Sequence, residues 1–204
     1  MFFDIGANIG RWSQANMDSC DRIIALEPDT DIFNRLKSNT KSDKIICLNY
    51  VVCNSDNPEV EFYKCNLDTL STLNVEWLSN EKSRFYGESF EKIICKTIKL
   101  DKLIELFGIP ELIKIDVEGG EYECISSLTQ KVDTLCFEWA SELKDIAFKC
   151  IDYLESIGFT KFYIQNEDHY TFRPNENLYI DIHTTKAMLN NTVPKQDWGM
   201  VWCK

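Results

Sequence analysis

A chain of 204 residues, 44% hydrophobic, can enclose one sizeable core, so a single domain spanning 1–204 is expected. Its formal charge of −11 leaves few Lys and Arg to neutralise phosphates, which weighs against nucleic acid as a partner. No apolar run approaches the roughly 18 residues a membrane helix needs, and the first residues do not read as a secretory signal, so a cytoplasmic protein with no membrane span is expected.

The chain opens "MFFDIGANIGRWSQ": an apolar strand, then a sharp turn with Gly6 and Gly10, then a helix from about Ile9 to Met17. "RIIALEP" is a second strand, stopped by Pro28, and Thr30 or Asp31 is the expected cap of a helix through "DIFNRLKSN". "KIICLNYVVC" reads as a third buried strand and "PEVEFYKC" as a half-exposed one. The polar stretch from Asn66 to Glu91 reads as a long excursion, helical around Val75 to Ser79, of the length that often serves as a lid. "IICKTIKL" resumes a strand, and Asp101 is the expected cap of "KLIELF", which Gly108 and Pro110 end. "ELIKIDV" is the next strand, Gly119-Gly120 open a helix, "DTLCFEW" is a strand, and "ELKDIAFKCIDYLESIG" is a long amphipathic helix. "FTKFYIQ", "NLYIDIH" and "DWGMVWCK" all read as strands. Nine scattered cysteines, with no CxxC pair, read as reduced buried side chains, and no dedicated metal-ligand set is seen.

Strand alternating with helix predicts a doubly wound α/β fold, its parallel sheet covered on both faces and finished by antiparallel strands. Ligands in such sheets sit beyond the carboxyl ends of the strands. Three acids reach that edge: Asp4, Glu27 and Asp116. The first turn is not GxGxxG, and an acid directly ahead of it opposes a pyrophosphate, which argues against a dinucleotide oxidoreductase. Glu27, 17 residues beyond Gly10, is placed to accept both hydroxyls of a ribose. A ligand with a ribose, an ammonium and no phosphate fits best, and S-adenosylmethionine is such a ligand.

"FFDIGANIGRWS", "ALEPDTDIFNRLKSN", "IKLDKLIELFGIPELIKIDVEGGEYECISSL" and "FEW" resemble, in order and spacing, the FkbM family of class I methyltransferases. The resemblance implies a Rossmann-like, mostly parallel seven-stranded sheet with an antiparallel C-terminal strand. It also implies methyl transfer from S-adenosylmethionine, typically to a hydroxyl oxygen of a sugar or other small acceptor. Asp4, Gly6, Asn8 and Gly10 resemble the loop along the methionine part of the donor, and Glu27 the ribose ligand. Asn54 or Asp56, after "YVVC", resembles the adenine-side contact, and Asp116 the acid facing the methyl. The chain opens at the first strand, so the cover that family members carry ahead of it is expected from Asn66–Glu91 or from another subunit, or the site is open. Where the family often has a histidine after "FE", this sequence has Trp139-Ala140.

An alcohol acceptor must lose a proton, and Asp116, Glu118 and Glu138 are the candidate bases because they cluster at adjacent strand ends. The histidines, His169 and His183, are expected at the surface or a sheet edge. A non-catalytic module that keeps the donor pocket, or serves as a partner subunit, is the alternative.

Overall fold

A computed structural model describes residues 1–204. Three four-residue strands, β1 (Phe2–Ile5), β2 (Ile23–Leu26) and β7 (Leu112–Ile115), are buried at every position. Strands covered on both faces need apolar side chains on both, which is why these segments read as continuous runs and not as alternation. With β3 (Ile45–Leu48), β8 (Thr134–Ala140), β9 (Phe162–Asn166) and β10 (Trp198–Cys203) they form a seven-stranded sheet in the order β3-β2-β1-β7-β8-β10-β9. The first five are mutually parallel, and β10 runs antiparallel to both β8 and β9.

Successive residues divide between two cores. Phe3, Ile5, Ile24 and Leu26 join one, packed by Leu103 of α4 (Leu100–Phe107), Ile125 of α5 (Glu121–Ile125) and Ile151 and Leu154 of α6 (Lys144–Ser156). Phe2, Ile23 and Ala25 join the other, beneath Trp12 of α1 (Arg11–Asn16) and Leu36 of α2 (Thr30–Asn39). Each fully buried Leu, Ile or Phe contributes about 1.5–3 kcal/mol against its exposed state. The fold is thus the expected Rossmann-like one. The chain leaves β1 toward β2 on one side and returns as β7 on the other, so the order reverses between β1 and β7, where such sheets open a crevice.

Four local expectations are corrected. "KIICLNYVVC" is two strands: pairing in the main sheet ends at Leu48, and β4 (Val51–Val52) joins a second, three-stranded sheet with β5 (Glu59–Cys65) and β6 (Phe90–Ile98), in the order β4-β6-β5. The Asn49 side-chain amide, which donates to the carbonyls of Glu27 and Pro28 (both 2.8 Å), takes the chain out of the ladder there. The α2 cap is Asp29, whose carboxylate accepts from the N–H of Asp31 and Ile32. Asp101 lies inside α4 and binds Thr129 instead. "NLYIDIH" makes a single bridge, Ile180 to Phe162, and then turns into α7 (Ile182–Asn190), capped by Asp181 through Thr184. His183 therefore lies exposed on a helix.

The second sheet pairs β5 (Glu59–Cys65) antiparallel with β6 (Phe90–Ile98), bringing Cys65 opposite Phe90. The chain between them includes one short helix, α3 (Glu76–Ser79), and packs Leu70, Trp77 and Leu78 against Ala140. No helix is long and apolar enough to cross a membrane.

Candidate active site

Beyond β1 the backbone turns at once. The N–H groups of Gly6 and Ala7 both donate to the Leu26 carbonyl (3.1 and 2.8 Å), folding the turn over the end of β2. A side chain on Gly6 is excluded: φ is +77°, and a Cβ would lie 1.8 Å from the Asp116 carbonyl oxygen. The glycine is where the ends of β1 and β7 touch. Asn8, at φ +48°, donates its backbone N–H to Glu27 Oε2 (3.0 Å), and its side chain donates to the Asp68 carbonyl (2.7 Å). Glu27 Oε1 accepts from the Asp29 N–H (2.9 Å). Each Glu27 oxygen thus holds one backbone donor, leaving further acceptor capacity toward the cleft it lines. Burial pushes its carboxyl up to about 8 against those two hydrogen bonds.

Asp4 does not reach the cleft. It is wholly buried below the turn, accepting from Ser13 Oγ (2.6 Å) and facing Lys114, its register partner on β7 (Nζ to Oδ1 3.6 Å). Lys114 also pairs with Asp116 (3.0 Å). Burial works against its charge, but Asp116 and Asp4 outweigh that and hold the ammonium raised. Gly10 also lies behind the turn, against Thr40 and Leu36 of the α2 end.

Past β7 the chain forms a second tight turn. Glu118 sits at φ +55°, and the buried Glu121 carboxylate accepts from the N–H groups of Gly119 (3.0 Å) and Val117 (3.3 Å) to hold it. Burial pushes Glu121 up to about 7. The β7–β8 register, Ile115 opposite Phe137, brings Asp116 level with Glu138. Carboxylate oxygens of Asp116, Glu118 and Glu138 lie within 4.8 Å of one another. That spacing could gather a cation, but Lys114 already meets Asp116, and Trp77 Nε1 donates to Glu118 (3.0 Å). Burial, followed by the mutual repulsion of these acids, raises Glu118 and Glu138 well above the ordinary carboxylate range.

These groups line a cleft of about 610 Å³, within the range of small-molecule sites. Gly6, Asn8, Glu27, Asp116, Glu118 and Glu138 are brought together there. Asn54 and Asp56 are not. The break at Asn49 carries them past β4, where the Asn54 N–H donates to the Glu123 carbonyl (2.8 Å) and Asp56 pairs with Lys99 (2.6 Å). The wall beside Glu27 is made instead by Pro28, Phe62 and Leu70.

The excursion after β5 lines the cleft with Asp68, Trp77 and Arg84, as a cover would. It is tied down at both ends: Arg35 pairs with Asp68, and Arg84 grips Glu142 through two 2.6 Å hydrogen bonds. Asp168, Tyr170 and Trp198 complete the opposite wall. The loop bearing Asp168 and Tyr170 is pinned by Arg173, which lies 5.4–5.6 Å from the rings of Phe2, Trp12 and Trp202 and donates to Asn16 Oδ1 (2.5 Å). The sequence marks Asn66–Glu91 as the expected cover, but it does not single out Lys114, Asp68, Trp77, Arg84, Asp168 or Tyr170. For Lys114 a signal existed, a cation inside an otherwise apolar buried strand; for the rest there was none.

Residues 4–159 match the family model described as a methyltransferase FkbM domain. AglP of Haloferax volcanii, a hexuronic acid methyltransferase, is 29% identical over 143 residues, which are 67% of this chain and 53% of AglP. The chain thus spans about half the length of that relative. The crystal structure of a precorrin 8w decarboxylase from Methanobacterium thermoautotrophicum aligns with a TM-score of 0.50 at 10% identity, over 100% of this chain and 80% of that one, a likeness of fold alone.

Proposed function

The chain belongs to the FkbM methyltransferase family, and from that premise we propose that it moves a methyl group from S-adenosylmethionine to a hydroxyl oxygen of a sugar or similar small hydroxylated acceptor, its 204 residues acting as one methyltransferase domain. The observation that carries this reading is the cleft itself. It has a buried carboxylate with spare acceptor capacity at one end and a group of three carboxylates at the other, joined by a glycine turn that leaves backbone bare.

The residues present fit that donor. Glu27 would accept the ribose hydroxyls, Pro28, Phe62 and Leu70 offer apolar surface to the base, and the Gly6–Asn8 turn would run along the amino-acid part. Asp116, Glu118 and Glu138 give a positive sulfonium a favourable field. When bound, the donor supplies an electrophilic methyl group on a good leaving sulfur. The protein's own part is to hold the acceptor oxygen in line behind that carbon, about 3 Å away, which can lower the barrier by roughly 7–11 kcal/mol at best. Tyr170 and Trp198 give a sugar ring flat faces to lie against, and the hexuronic acid in the name of AglP supports an acceptor of that class.

Calorimetric titration with S-adenosylhomocysteine and, separately, NAD tests the donor assignment. Selective binding of the former is expected, and preference for NAD would refute it. Transfer of tritiated methyl groups to simple glycosides tests the rest. Donor binding without turnover on any hydroxylated acceptor would favour a non-catalytic module.

A further inference from the structure

The three carboxylates at the deep end of the cleft are not equivalent. Asp116 is ion-paired with Lys114 at 3.0 Å. Glu118 accepts from Trp77 at 3.0 Å, and its backbone carbonyl holds Thr72 Oγ1 at 2.6 Å, so it fastens the covering segment to the turn. Glu138 has no ion pair, and the one side chain within hydrogen-bonding reach of its carboxyl is Asp116; it lines the cleft and stands on a strand held by β10 at Glu138 itself and by β7 up to Phe137. It is a carboxyl held in place by its backbone, with no cation on its oxygens and a second carboxyl, Asp116, beside it.

Resting on the methyl-transfer reading, we propose that Glu138 is the general base that takes the acceptor's hydroxyl proton, and that Asp116 is the positioning residue that accepts a hydrogen bond from Glu138 once that proton has arrived. As the acceptor oxygen bonds to the methyl carbon, the carbon–sulfur pair stays on sulfur. The O–H pair stays on oxygen, and the proton passes to a Glu138 oxygen. A sulfonium and a carboxylate are consumed, and a neutral thioether and a carboxylic acid result. Lys114 keeps Asp116 in an ion pair, so the new acid finds an acceptor one strand away. The charged groups facing Glu138 are Glu118, Asp116 and Glu121 from β7 and the turn behind it, and Arg84 from the covering segment. Burial, then those three acids, give Glu138 a strong affinity for a proton. A base of that kind works best near or above neutral pH, where it is free to accept.

The experiment is a titration of protein carrying ¹³C at its glutamate carboxyls, for wild type, E138Q and D116N, without ligand and with S-adenosylhomocysteine. The resonance missing from E138Q should titrate well above the ordinary glutamate range and move down in D116N. A resonance that titrates as an ordinary glutamate, or is unmoved by D116N, would overturn the proposal. With tritiated donor and methyl glycosides as acceptors, E138Q should lose about 10²- to 10⁴-fold in turnover. It should also lose the acid limb of the pH profile while binding S-adenosylhomocysteine within about twofold of wild type. Turnover within about tenfold of wild type, with the limb intact, would overturn the assignment. If wild type fails to bind S-adenosylhomocysteine, the donor reading falls, and the ligand-free carboxyl titration still decides the case of Glu138.

Discussion

Glu27→Gln is the sharpest probe of the donor end. Each Glu27 oxygen accepts one backbone N–H, from Asn8 at 3.0 Å and from Asp29 at 2.9 Å. An amide replaces one acceptor by a donor, so one of those N–H groups must face an NH₂. A buried N–H left without a partner costs about 1–3 kcal/mol. For a chain of this size that corresponds to a fall in melting temperature of roughly 2–12 °C. Separately, above pH 8, where Glu27 is ionised, one ribose hydroxyl loses its bond to a charged acceptor, worth about 1.5–3 kcal/mol, so affinity for S-adenosylhomocysteine should drop roughly 10- to 150-fold there. Calorimetric titration at a temperature where both proteins are folded measures the second effect, and a thermal scan of the same samples the first. Because Glu27 is pushed up to about 8, wild-type affinity should also rise as pH increases toward 8 and the carboxylate ionises, a dependence that the glutamine variant lacks. A folded variant with unchanged affinity and an unchanged pH profile would refute the ribose assignment.

Gly6→Ala should destabilise the chain severely and abolish donor binding, because the added Cβ would lie 1.8 Å from the Asp116 carbonyl; a soluble variant with wild-type melting would contradict that contact. Arg173→Ala removes a guanidinium packed against three rings and bonded to Asn16, and should cost about 1–3 kcal/mol while weakening donor binding through the loop bearing Asp168 and Tyr170. Denaturant unfolding and calorimetry read both effects, and no change in either would show that the loop does not depend on it. Finally, Glu27 and Glu121 rise from 4.5 to about 8 and about 7, so the native state binds more protons than the unfolded chain between about pH 4.5 and 8. Their contribution to stability is then full below pH 4.5 and is lost as pH rises through that window. Melting should be higher near pH 5.5 than near 8.5, with the difference reduced in Glu121→Gln; equal or higher melting at alkaline pH would contradict it.

What could be read directly from residues was what short buried strands impose. Continuous apolar runs mark them, and the residues just past their carboxyl ends, Glu27 and Asp116, do face the cleft, as does Glu138 near the end of β8. The bend at Asn49 was hidden because apolar residues continue beyond it, and one amide reaching two carbonyls ends the ladder. That single side chain moved Asn54 and Asp56 away from the site. "YIDIH" has the alternation of a strand, but Asp181 three residues before Thr184 is a cap, and capping prevailed over periodicity. The cleft's far walls were illegible for a different reason. Trp77 meets Glu118 across 41 residues and Arg84 meets Glu142 across 58, and no local pattern encodes such contacts.

The covering segment departs from Cys65 and returns at Phe90, which are opposite each other in one hairpin ladder. Its two feet therefore stand side by side whatever lies between them. Closing a longer or shorter loop on such a base changes the entropy of the chain only slowly, by about 0.6 kcal/mol per doubling. The span between the feet can therefore change in length while Glu27 stays on the sheet edge, provided that a new span still meets Asn8 and Glu118 as Asp68 and Trp77 do.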